Sequence, residues 1–97
     1  MKKELSTIKK LIEMKKDKII DEYKIKSIGI FGSYARGEQN DKSDIDIVVE
    51  FSSPVGIEFV HLKEYLSELL ETEVDLTTSD AIKPNRIPYV KKDIIYV

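Results

Sequence analysis

The sequence predicts an α/β (α+β) domain, a small mixed β-sheet flanked by helices. Three observations point there. Apolar residues recur at helical spacing over residues 3–23 and 56–71. Runs with strand character stand at 24–31, 44–51 and 73–78. After an initial helix the order is strand, strand, helix, strand, which suits helices packed on one sheet. Ninety-seven residues make one domain, 1–97, with no room for a second core.

Taken in order, Leu5, Ile8, Ile12, Ile19 and Tyr23 form one stripe, broadened by Leu11 and Ile20. Lys15-Lys16 interrupts it, so the middle of one long helix is expected to be half-buried. Residues 24–31 (KIKSIGIF) read as a buried strand, and 32–37 as a turn with one helical turn at Ser33-Tyr34-Ala35-Arg36. Residues 38–43 are a polar loop with turn chemistry at Asn40-Asp41. The Ile-Val-Val content of 44–51 marks a buried second strand. Ser53 is placed to cap, and Pro54 to open, a helix whose apolar face is Phe59, Val60, Leu62, Leu66, Leu69 and Leu70. In the third strand Val74 and Leu76 face one side, and Glu73, Asp75 and Thr77 face the other. A short helix is expected over 84–92, beginning near Pro84, then a terminal strand or extended tail. That tail, DIIYV, also suits an edge strand that pairs with another chain, so a homo- or hetero-oligomer is open.

Composition narrows the function classes. A net charge of -2 offers no strong field for nucleic acid or an anionic membrane. Without cysteine there are no disulfides or thiolate metal sites. The lone His61 has no histidine or cysteine partner for zinc. No segment reads as a leader or a membrane span, so a soluble, cytoplasmic protein is expected.

The chemistry gathers in FGSYARGEQNDKSDIDIVVEF, residues 31–51. Asp44 and Asp46 are two apart, so on a strand they project from one face about 7 Å apart, two strand rises. Such a pair repels itself unless a proton or cation intervenes, and magnesium is the natural occupant. Gly32 allows close approach of the backbone, and Ser33 adds a hydroxyl beside exposed N–H groups, which suits a phosphate. Together these are the equipment for phosphoryl or nucleotidyl transfer by two metal ions. Arg36 has two readings: a bidentate phosphate contact, or a structural arginine locking the loop through Asp41 or another acid. Ser43 is placed to orient Asp44 or the loop, and Lys42 reads as a solvated loop lysine.

Gly32-Ser33, ten intervening residues and Asp44-x-Asp46 resemble the signature of the polymerase-β-type nucleotidyltransferase superfamily. The fuller Gly-Ser-x-Ala-Arg-Gly and Ser-Asp-Ile-Asp, in so short a chain, resemble the minimal nucleotidyltransferases (MNT), the antitoxin half of HEPN–MNT toxin–antitoxin pairs. The resemblance implies that Asp75 completes a triad with Asp44 and Asp46, with Glu73 as the nearby alternative to test. It implies two Mg2+ ions held by the three aspartates, and ATP as substrate with Gly32, Ser33 and Arg36 at the nucleotide. Tyr34 departs from the pattern, standing where a basic residue is frequent. The implied acceptor is a tyrosine of a HEPN toxin encoded nearby, with no direct nucleic-acid or membrane partner. The HEPN Arg-x4–6-His motif is absent here, so the toxin is a separate chain. Two alternatives remain: a steric, non-catalytic antitoxin, and the catalytic subunit of a small-molecule nucleotidyltransferase resembling the aminoglycoside-modifying enzymes.

Overall fold

The computed structural model describes residues 4–40 and 42–97. A helix start at residue 3 and an Arg36–Asp41 pair lie outside the described residues. In chain order the elements are α1 (Leu5–Met14), α2 (Lys16–Tyr23), β1 (Ile25–Phe31), α3 (Ser33–Arg36), β2 (Ile45–Phe51), α4 (Ile57–Leu70), β3 (Val74–Thr78), a 3-10 turn (Ser79–Ala81), α5 (Ile87–Asp93) and β4 (Ile95–Tyr96). The mixed sheet with flanking helices is therefore the predicted class.

The expected single leading helix is two. Lys15 leaves helical geometry, with φ −111° and ψ 9°, where Lys15-Lys16 breaks the stripe. Ile8, Ile12 and Ile19 still fall on the core, so the break interrupts the helix without losing the apolar face. The helix α4 starts at Ile57 with Gly56 as its cap residue, so Ser53 and Pro54 neither cap nor open it. Instead the Gly56 amide donates to Glu58 Oε1 at 3.0 Å, a cap made from inside the first turn. Pro84 sits in a turn, and α5 begins three residues later with Pro88 in its first turn, where the missing N–H is harmless.

The sheet order is β3-β2-β1-β4. The β1–β2 and β1–β4 pairs are antiparallel, while β2–β3 is parallel with α4 as the crossover. The terminal segment is an edge strand of its own sheet: Val97 N–H donates to Ile28 O at 3.0 Å, and Gly29 faces Tyr96.

Strand alternation gives the sheet two unlike faces. Ile28 and Ile30, Ile45, Ile47 and Val49, and Val74 and Leu76 join Ile8, Ile12, Ile19, Leu62, Leu66 and Leu70 in one core beneath α1, α2 and α4. Each fully buried leucine or isoleucine there stabilises the fold by about 2 kcal/mol. Tyr34 lies in this core, fully buried, so it serves packing. His61 is exposed on α4. The opposite face carries the polar residues of the same strands together with Phe31 and the buried Val48.

Candidate active site

On that second face the register of β2 and β3 sets Asp46 directly beside Asp75, and Phe31 of β1 faces Asp46 from the other side. Asp46 is half-buried and Asp75 exposed. Burial pushes the Asp46 carboxyl up to about 6, helped by the charges of Asp75 and Asp44 and by a hydrogen bond with Asp75; Arg36 opposes the shift. The stronger influence on Asp46 thus comes across the sheet from Asp75, and not along the strand from Asp44. Asp44 itself stands one residue before β2, exposed and outside the cleft lining. Glu73 is exposed ahead of β3; its carbonyl accepts from Ile45 N–H at 3.0 Å, and its side chain does not line the cleft.

Gly32 and Ser33 turn the chain from β1 into α3. Gly32 has φ +75° and ψ −151°, a region essentially restricted to glycine. A Cβ built there would run into the Asp46 carboxylate. The glycine therefore makes room for the acid as well as for the turn, a role that sequence spacing does not disclose. Two bonds close the turn, Arg36 N–H to Gly32 O at 3.1 Å and Glu38 N–H to Ser33 O at 2.8 Å. The loop before Asp44 is held by Ser43: its Oγ accepts from Asn40 N–H at 2.9 Å and its amide donates to Asn40 O at 3.0 Å. Lys42 is exposed.

Arg36 finds two acids, though neither is the one named in the loop reading. Its Nη1 donates to Asp93 Oδ2 at 2.7 Å and its Nε to Glu38 Oε2 at 3.1 Å. The first bond ties α3 to the far end of α5.

These residues border a cleft of about 500 Å³. Gly32, Ser33, Asp46 and Asp75 form one wall. The other is the segment after β3, including Lys83, Arg86, Tyr89 and Asp93. Sequence reasoning missed Lys83 and Arg86, which sit in a polar turn far from the motif; only the fold brings them in. The donor set fits a hard cation, because two carboxylates in contact raise each other's energy until a positive charge arrives. Among the described residues no group of three acids or histidines already stands close enough to hold an ion. Among the described residues no helix is long and apolar enough to cross a membrane.

Paired acids beside a glycine-serine turn define an enzyme that moves phosphate groups. Residues 8–97 match the family model of the nucleotidyltransferase domain, and the chain belongs to that family, a nucleotidyltransferase by fold and sequence. MJ0128 of Methanocaldococcus jannaschii, provisionally named a protein adenylyltransferase, is 50% identical over 100 residues, covering 98% of this chain and 99% of its own. Protein adenylyltransferase MntA of Thermococcus cleftensis is 35% identical, covering 96% and 95%. A solved structure provisionally described as a minimal nucleotidyltransferase superimposes with a TM-score of 0.81 at 26% identity, covering 96% and 95%. A chain of a toxin–antitoxin structure with AMP-PNP gives 0.70 at 29%, covering 87% and 70%. A chain of a tri-AMPylated Shewanella oneidensis HEPN toxin in complex with MNT antitoxin gives 0.64 at 26%, covering 90% and 69%.

Proposed function

We propose that this nucleotidyltransferase is an antitoxin that transfers AMP from ATP to a tyrosine of a partner HEPN toxin and so neutralises it. The observation that carries the reading is the Asp46–Asp75 pair in a cleft rimmed by Gly32-Ser33. The names of the relatives support adenylylation of a protein. The AMP-PNP and tri-AMPylated HEPN complexes support the nucleotide and the acceptor class.

Asp44, Asp46 and Asp75 would hold two magnesium ions. Bound magnesium neutralises phosphate charge and acidifies the attacking hydroxyl. The turn amides and the Ser33 hydroxyl hold the β- and γ-phosphates. Asp75, the exposed member of the pair, takes the proton of the acceptor hydroxyl. The acceptor oxygen then bonds to the α-phosphorus while the bond to the β-phosphate oxygen breaks, and pyrophosphate leaves. The acids are held by sheet register, so their contribution is largely positioning.

The test is intact-mass spectrometry of the co-encoded neighbour after incubation with the chain, magnesium and each of the four nucleoside triphosphates. A gain of one or more AMP masses with ATP, lost with Asp44→Asn, supports the reading. No gain on any protein while a tight complex persists would replace it with a steric antitoxin.

A further inference from the structure

The wall opposite the acids carries two cations without a stated role. Lys83 and Arg86 are exposed and line the cleft. Among the described residues neither side chain enters an ion pair or a hydrogen bond. They are not on a loose strand: Arg86 N–H donates to Lys83 O at 2.9 Å, and the Arg86 carbonyl accepts from Tyr89 and Val90 amides, both at 3.1 Å. One closed turn therefore presents both charges to the cavity that Asp46 and Asp75 face from the other side.

The third cation of the cleft is already engaged. Moving Arg36 onto a ligand would strip Asp93, whose side chain is only 18% exposed, of a 2.7 Å partner, and leaving such a carboxylate uncompensated is costly. Lys83 and Arg86 give up nothing but water when an anion arrives.

We infer that Lys83 and Arg86 form a clamp for the β- and γ-phosphates of a nucleoside triphosphate, and that Arg36 is the strut holding the clamp wall to the Gly32-Ser33 turn. The inference rests on the nucleotidyltransfer reading for the occupant of the cleft. The triphosphate then lies between a wall that recruits its counter-ion and a wall that pairs with it directly, and the guanidinium of Arg86 matches two phosphate oxygens at once. Because the clamp reads phosphate, it does not discriminate among bases.

Calorimetric titration with magnesium present and no acceptor protein tests this. The Lys83→Ala/Arg86→Ala double variant, at two exposed positions, should bind ATP about tenfold or more weakly than the unaltered chain. AMP affinity should stay within about twofold, and inorganic tripolyphosphate should displace ATP from the unaltered chain far better than from the variant. Raising the salt should weaken ATP binding more steeply in the unaltered chain. Lys63→Ala, which removes one exposed cation on the helix-covered side of the molecule, is the control for charge lost outside the cleft and should change nothing. Equal ATP affinities, or equal losses for ATP and AMP, overturn the clamp alone. An unaltered chain that binds no nucleoside triphosphate overturns the clamp together with the transferase reading. A chain that binds ATP through Lys83 and Arg86 but modifies no protein keeps the clamp and loses the adenylyl transfer.

Discussion

The two walls of the cleft are built on different physical terms. The acid wall stands on β2 and β3, where Ile45, Ile47 and Val74 are completely buried on the reverse side. Sliding either strand by one residue would exchange the acids with the core, so their placement carries the full weight of the hydrophobic packing. The cationic wall, from the 3-10 turn through α5, contains no fully buried residue. It is held by half-buried Ile82, Ile87, Val90 and Ile94 beside Val48, by the Arg36–Asp93 bond and by the short β4 pairing. The comparison teaches that the acids are placed by a fully buried core, while the opposite wall rests on half-buried side chains and a few polar ties.

The largest effect should come from Asp46→Asn. Transfer should fall at least about hundredfold in a mass-based assay, while the metal-free fold keeps or gains stability because a repelling charge is gone. Transfer at the unaltered rate would remove Asp46 from the chemistry. Next is Gly32→Ala, which forces a non-glycine residue to φ +75° and a methyl group into the Asp46 carboxylate. Denaturant unfolding should show a loss of about 2–4 kcal/mol. A smaller loss would mean that the acid wall yields more than its packing implies.

The other wall should respond more mildly. Arg36→Ala should raise the KM for ATP several-fold with a lesser change in kcat, since the substitution lets α5 drift without touching the acids. Arg36→Lys should recover only part of this, because an ammonium has no fork to serve Asp93 and Glu38 together. Steady-state kinetics separates these outcomes, and a pure kcat loss would contradict the strut.

The smallest effect is one of pH. The Asp46 carboxyl sits at about 6 in the folded chain because of its burial and of Asp75 and Asp44, against the partial relief from Arg36. A raised carboxyl favours the fold while protonated, so its contribution is complete below about pH 4 and is lost as pH rises through about 6. In metal-free buffer Asp46→Asn should therefore match the parent near pH 4 and exceed it in melting temperature near pH 7. Magnesium should narrow that gap, and a gap that grows toward acid pH would reverse the assignment.

Much of this was legible in the sequence, for identifiable reasons. Asp44-x-Asp46 at the head of an Ile-Val-Val strand, and Gly32-Ser33 after KIKSIGIF, are local patterns, and local patterns survive without coordinates. Asp75 was placed on the right strand face by the period of two between Val74 and Leu76. The parallel pairing that sets it beside Asp46 is a property of topology. The partner of Arg36 was hidden because Asp93 lies 57 residues away. Lys83 and Arg86 belong to no motif, and only the fold brings them to the cleft. The helix break at Lys15 was visible as a gap in the stripe, but a stripe that resumes at Ile19 conceals that one helix has become two.

Gly32 and Asp46 also constrain each other's history of change. The volume of the absent side chain at one position is the volume of the carboxylate at the other. The two sites therefore cannot drift independently: alanine at 32 meets the carboxylate only as long as 46 keeps its acid, and meets the backbone cost in either case. In a double-mutant cycle Gly32→Ala should be less damaging on an Asp46→Ala background, leaving only the backbone share of its cost. The glycine thus becomes easier to replace once the acid has gone, and the acid is what makes the glycine hardest to replace.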